Sequence, residues 1–169
     1  MNPGHSEKGI DRITLQMVII IVLQNAFMVN YPADRWSMDD KTVKKILCVE
    51  DEPEMIDLIR LILGRRGFEV TGAVGGLEGI MRMREDPPDL VLLDLMMPDM
   101  DGWEVYQQMK ADEKTRSIPV IIVTAKAQNI DKVLGLHIAK VDDYIAKPFS
   151  PQDLLNSVEK VLGQKKAVS

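Results

Sequence analysis

The chain carries a single cysteine, Cys48, which excludes an internal disulfide framework and agrees with a reducing cytosol. Cys48 sits inside an apolar run and reads as a small buried side chain. Histidine is almost as scarce: His5 and His137 stand alone, and neither has a partner at metal-ligand spacing. Basic residues form no stripe and the formal net charge is −5, which argues against direct contact with nucleic acid. Gly75, Gly76 and Gly79 lack the glycine spacing of a dinucleotide fingerprint. The one long apolar stretch, Ile13–Val29, is interrupted by Gln16, Gln24 and Asn25 and falls short of the roughly 20 residues a membrane span takes. What remains is 169 residues, 46% hydrophobic and 28% charged, enough for one well-cored domain and a tail.

Short continuous apolar runs alternate with helical patterns, the signature of a parallel sheet covered on both faces. Strands are expected at Lys45–Val49, Phe68–Ala73, Leu90–Asp94, Pro119–Thr124 and Asp143–Ala146. Helices are expected at Pro53–Leu63, Gly75–Arg84, from Gly102 to Lys110, at Ile130–Ile138, and from Ser150-Pro151 to Gly163. Pro53 and Pro151 suit a first helical turn, where an N–H has no intrahelical acceptor, and Ser150 suits an N-cap. The fold class is therefore α/β, doubly wound, with right-handed crossovers joining five strands and five helices.

In open α/β sheets, ligands bind beyond the carboxyl ends of the strands. Here those ends carry Glu50 and Asp51, Asp94, Thr124 and Lys147. Three carboxylates brought close together repel one another unless a cation enters. A hard divalent ion with oxygen ligands, Mg²⁺ above all and Mn²⁺ as a substitute, is the natural partner. Mg²⁺, a lysine and a free carboxylate together are equipped for transfer of a phosphoryl group onto that carboxylate.

The segments "ILCVEDEP", "DLVLLDLMMPDMDGWE", "IPVIIVTA" and "DDYIAKPF" follow one another in an order and spacing that resembles the receiver domain of two-component response regulators. The resemblance covers residues 43–163, leaving 1–42 as an N-terminal extension and 164–169 as a short tail. It implies a flavodoxin-like sheet in the order 2-1-3-4-5. By the same resemblance Asp94 is the phosphoacceptor, and Glu50, Asp51, Asp94 and the Met96 backbone carbonyl bind Mg²⁺. Thr124 and Lys147 contact the phosphoryl group, Thr124 and Tyr144 form the switch, and Pro148 follows a cis peptide bond.

The implied function is that of a signalling phosphoacceptor rather than an enzyme acting on a substrate. It takes its phosphoryl group from a histidine kinase or phosphotransfer protein in the cytoplasm. The surface of the fourth helix, fifth strand and last helix then answers to a downstream target protein or a phosphorylation-dependent homodimer. Since only Gln164–Ser169 follow the last helix, a stand-alone receiver is expected. Glu50 departs from the family's usual Asp at the first acidic position, and Met96 and Lys126 occupy positions that tune phosphoryl lifetime.

Simpler readings exist for each residue taken singly. Asp51 or Glu52 could cap the first helix, Asp99 and Asp101 read as turn and cap residues, and Trp103 as packing. Thr124 could satisfy a backbone group, Lys147 could be a solvated loop lysine and Tyr144 a half-buried aromatic. Two functional competitors are a phosphorylation-independent interaction module and a haloacid-dehalogenase-type phosphatase. The second expects Asp-x-Asp at the first strand end, whereas Leu95-Met96 follow Asp94 here. For the N-terminal stretch, translation starting at Met38 is the first reading. A membrane-associating segment comes second and a true span last, with a secretory signal disfavoured by Glu7 and Asp11.

Overall fold

The structure, a computed structural model, describes residues 43–125 and 141–164. Expectations placed on the N-terminal extension, the Ile130–Ile138 helix, Lys126, the two histidines and the C-terminal tail lie outside these residues.

The described elements alternate in order: β1 (Lys45–Glu50), α1 (Pro53–Gly64), β2 (Glu69–Val74), α2 (Gly76–Glu85), β3 (Leu90–Leu93), α3 (Gly102–Ala111), β4 (Val120–Thr124), β5 (Asp143–Ala146) and α4 (Pro151–Gln164). All strand pairs are parallel, and the sheet order is β2-β1-β3-β4-β5. This is the doubly wound arrangement the strand–helix alternation implies. β2 lies one residue later than expected, β4 starts one residue later, and the carboxyl ends of β1 and β3 each shift by a residue. β1 extends through Glu50, whose carbonyl accepts the Gly75 N–H, and Asp94 falls just beyond β3 although its N–H still donates to Val49 O.

Alternation within the apolar runs explains why both faces are covered. Ile46, Cys48, Leu90, Leu92, Ile121 and Val123 point to one side, against Ile56, Ile59 and Leu63 of α1 and Leu154 and Val158 of α4. Leu47, Val49, Val91, Leu93, Val120 and Ile122 point to the other, against Ile80 and Met83 of α2 and Val105 and Met109 of α3. Burial also defines the chemistry of Cys48, whose thiol is pushed up to about 12, first by desolvation and then by the nearby Glu50 charge. It is an inert core residue.

Two of the helix starts carry side-chain caps and two do not. Ser150 and Asp153 cap α4 reciprocally: Ser150 Oγ accepts the Asp153 N–H, and Asp153 Oδ2 accepts the Ser150 N–H. Asp101 caps α3 by accepting the Trp103 N–H at 2.7 Å. Glu52 occupies the N-cap of α1 without a side-chain bond to the first turn, with Pro in the first positions. Gly75, at φ 98°, is the N-cap of α2 and has no side chain to offer.

Candidate functional site

Glu50 lies two residues past Cys48, Asp94 two past Leu92 and Lys147 two past Ile145. Period-two alternation therefore sends all three side chains to the α1/α4 face, at the carboxyl edge of neighbouring strands. There Lys147 Nζ donates to Glu50 Oε2 at 2.6 Å and to Asp94 Oδ2 at 2.6 Å. The other oxygen, Asp94 Oδ1, accepts the Met96 N–H at 2.9 Å. Asp51 joins them: one carboxylate oxygen from each of Glu50, Asp51 and Asp94 lies within 4.8 Å of the other two.

The electrostatics are those of a charged cluster withheld from water. Glu50 is 1% exposed and Asp94 5%. Burial raises the Glu50 carboxyl to about 7, against the pull of Lys147 and with help from the Asp94 charge. Burial alone would lower Lys147, but its bonds to Asp94 and Glu50 outweigh that and hold it above its ordinary value. Glu50 Oε1 is buried and has no hydrogen-bond partner. An orphaned acceptor among three carboxylates and one lysine fits a bound cation, and the donor set is the hard oxygen type that suits Mg²⁺. Glu50, Asp51 and Asp94 are the side chains that could hold one.

The remaining predicted residues are placed as follows. Thr124 ends β4, is fully buried, and is in register with Ala146; its carbonyl accepts the Lys147 N–H at 2.9 Å. The Lys147–Pro148 peptide bond is cis. Tyr144 stands apart from the carboxylates on β5, opposite Ile122, with 53% of its surface exposed. It lines an open groove of about 480 Å³ between β5 and α4, together with Phe149, Asn156 and Lys160. Lys147 is no solvated loop lysine, since its side chain is only 12% exposed.

Two residues shape the site beyond their sequence readings, Gly102 as the first residue of a helix and Asp99 as a turn residue. Gly102 abuts the chain at Asp94: a Cβ there would run into the Asp94 carbonyl oxygen and lie 2.6 Å from Leu95 Cα. Asp99 does not serve its own helix; its carboxylate accepts the Gly76 and Leu77 N–H groups, both at 3.2 Å, at the start of α2. No local signal announces either contact, because both partners belong to other segments.

A five-stranded parallel α/β sheet with an acidic cluster and a lysine at its carboxyl edge is the architecture of a receiver. The family model "Response regulator receiver domain" matches residues 46–159. The chain is 40% identical over 119 residues to the alkaline phosphatase synthesis transcriptional regulatory protein PhoP of Bacillus subtilis, covering 70% of this chain and 48% of that one. It is 39% identical over 118 residues to the DNA-binding dual master transcriptional regulator RpaA of Synechocystis, covering 70% and 48%. A CheY-like response regulator receiver domain protein of Methanospirillum hungatei superposes with TM-score 0.68 at 30% identity, over 76% of this chain and all of that one. The receiver domain of sensor histidine kinase PA1611 of Pseudomonas aeruginosa, with a magnesium ion coordinated in its active-site cleft, superposes with TM-score 0.65 at 29% identity, over 72% of this chain and 99% of that one. The chain belongs to the response regulator receiver domain family of two-component signalling. It spans about half the length of these two transcriptional regulators.

Proposed function

We propose that this chain is a phosphoacceptor that receives a phosphoryl group on Asp94 from a histidine kinase or phosphotransfer protein and passes the change of state to a partner. The observation that carries the reading is the Lys147 ammonium bridging Asp94 and Glu50 at 2.6 Å each, beside the Asp51 carboxylate.

Chemically, an Asp94 carboxylate oxygen attacks phosphorus, a new O–P bond forms, and the N–P bond of the donor phosphohistidine breaks to release imidazole. Lys147 turns from neutralising the carboxylate to stabilising the negative phosphoryl oxygens. Thr124, at the end of the adjacent strand, supplies a hydroxyl to the same oxygens. A Mg²⁺ ion held by Glu50, Asp51, Asp94 and the Met96 carbonyl would add neutralisation of the transferring charge. The magnesium ion in the cleft of the Pseudomonas aeruginosa receiver supports this ligand class.

The output follows as a local charge change biasing a two-state surface. Thr124 and Tyr144 form the switch, and the β5–α4 face forms the surface that a target protein or a second copy reads. The setting is the cytoplasm, where kinase and target are found; among the described residues no helix is long and apolar enough to cross a membrane. DNA binding is stated of the RpaA relative, only about half of which this chain spans; nucleic acid is not among the partners proposed here. Residues 43–163 make up the phosphoaccepting unit.

The test is intact-mass analysis of the full chain incubated with acetyl phosphate, with and without Mg²⁺. A Mg²⁺-dependent gain of one phosphoryl group in the wild type, absent in Asp94→Asn, is the expected result. A folded wild type that gains nothing would leave a phosphorylation-independent interaction module as the better reading.

A further inference from the structure

Helix α2 begins without a cap of its own. Gly75 holds the N-cap position at φ 98°, a conformation favouring glycine, and has no side-chain oxygen for the first turn. The missing acceptor comes from the loop after β3. Asp99 Oδ1 accepts from Gly76 N and Asp99 Oδ2 from Leu77 N, each at 3.2 Å, across 23 and 22 positions of sequence. The fit is close, because a Cβ on Gly75 would lie 2.6 Å from Asp99 Oδ2 and 2.8 Å from its Cγ. Burial works against the Asp99 charge, but the Leu77 and Gly76 amides outweigh it and hold the carboxyl below its ordinary range.

The same junction is tied to the acidic cluster from the other side. Gly75 N donates to Glu50 O at 3.2 Å, and Glu50 Oε1 is the buried oxygen with no partner. The loop that carries Asp99 starts at Asp94, and Met96 N donates to Asp94 Oδ1. Asp99 thus closes a loop of contacts running from Asp94 through residues 95–99, across to Gly75–Leu77, and back to Glu50.

We infer that Asp99 is a positioning residue that fixes the distance between the Asp94–Met96 segment and the Glu50 end of β1, and so preorganises the cation site. The inference rests on the phosphoacceptor reading, which makes those two segments the halves of a Mg²⁺ site. Residues that orient ligands without touching the metal are worth about tenfold or more in affinity when lost.

The experiment is calorimetric titration of the full chain with Mg²⁺ for the wild type and for Asp99→Ala, Asp99→Asn, Gly75→Ala and Asp153→Ala. Asp153→Ala removes a comparable cap from α4 and serves as the stability control. Asp99→Ala and Gly75→Ala are expected to weaken Mg²⁺ about tenfold. Asp99→Asn, keeping one acceptor, should fall between them and the wild type, and Asp153→Ala should bind as the wild type does. In a variant carrying both Asp99→Ala and Gly75→Ala the two losses should not add, because both act through one contact. Wild-type affinity in folded Asp99→Ala overturns the inference and leaves Asp99 a helix cap only. If Asp99→Ala does not fold, wild-type affinity in Asp99→Asn and Gly75→Ala overturns it equally. A wild type that binds no Mg²⁺ removes the metal half of the phosphoacceptor reading, and this inference with it.

Discussion

Lys147 Nζ meets Glu50 Oε2 at 2.6 Å, joining residues 97 positions apart in the chain. The contact occupies one carboxylate oxygen of Glu50 and leaves the other, Oε1, buried without a partner. Desolvation therefore dominates the Glu50 carboxyl, which is raised to about 7 from its ordinary 4.5.

A pH dependence follows. The folded-state value lies above the unfolded one, so protonated Glu50 contributes stability that is full below 4.5 and is lost as the pH rises through about 7. The contribution is on the order of 3 kcal/mol at most. Urea unfolding in the presence of EDTA should show wild-type stability falling across that window relative to Glu50→Gln. Parallel curves for the two proteins would rule the assignment out. Because a cation needs the carboxylate, Mg²⁺ binding near pH 6 should also release protons, which titration in buffers of different ionisation enthalpy would count.

Lys147 is the counter-charge for two buried carboxylates. Lys147→Met leaves Glu50 and Asp94 facing each other, and losing one partner of a buried ionic group costs about 3–5 kcal/mol. Without divalent cation the variant should melt well below the wild type. Added Mg²⁺ should raise its melting temperature by more than it raises that of the wild type, because the ion takes over part of the missing charge. Equal Mg²⁺ shifts in the two proteins would mean that the ion does not enter this cluster.

Much of this is legible in the sequence itself. The Leu90–Leu93 run is apolar at every position because alternate residues face two different cores, and that continuity is what identified a parallel sheet. Once the strands were known, their carboxyl ends gathered Glu50, Asp51, Asp94, Thr124 and Lys147 at one edge. What stayed hidden depends on contacts between segments distant in sequence. Asp99 looks like a turn residue next to Asp101, yet it caps α2 while Asp101 caps α3. Gly75 and Gly76 form no phosphate-binding fingerprint; Gly75 is glycine because of its φ and the Asp99 carboxylate beside it, and Gly76 because a Cβ there would press on Val105 and Met100. The ion pair of Glu50 depends on a lysine almost a hundred positions downstream.

Glycine substitutions separate steric necessity from helix signalling. Gly102→Ala would push a Cβ into the backbone at Asp94 and Leu95, atoms that cannot rotate away. The strain should displace Asp94, cutting stability by about 1–3 kcal/mol, of the order seen for overpacking, and lowering the rate of phosphoryl gain with it. Gly64→Ala, at the end of α1 with open space around its Cβ, should be neutral or stabilising by about 0.5–1 kcal/mol. Chemical denaturation of both variants reads the contrast. A Gly102→Ala protein as stable as the wild type would show that the loop after β3 yields easily.

The switch makes a different demand, since Thr124 is fully buried while Tyr144 on the next strand is 53% exposed. If phosphorylation draws the Thr124 hydroxyl toward Asp94, space opens at the end of β4 into which the Tyr144 ring can turn, lowering its exposure. Thr124→Val keeps the branched shape and removes the hydroxyl, so the fold and the acceptor carboxylate remain. Fluorotyrosine-labelled protein gives separate ¹⁹F signals for its 3 tyrosines, assigned with a Tyr144→Phe variant. Acetyl phosphate with Mg²⁺ should shift the Tyr144 signal in the wild type. In Thr124→Val it should leave that signal in place, even though intact mass still records a slower phosphoryl gain. A Tyr144 shift of equal size in the valine variant would separate the ring movement from the hydroxyl, and the coupling would have to run through Lys147 and β5 instead.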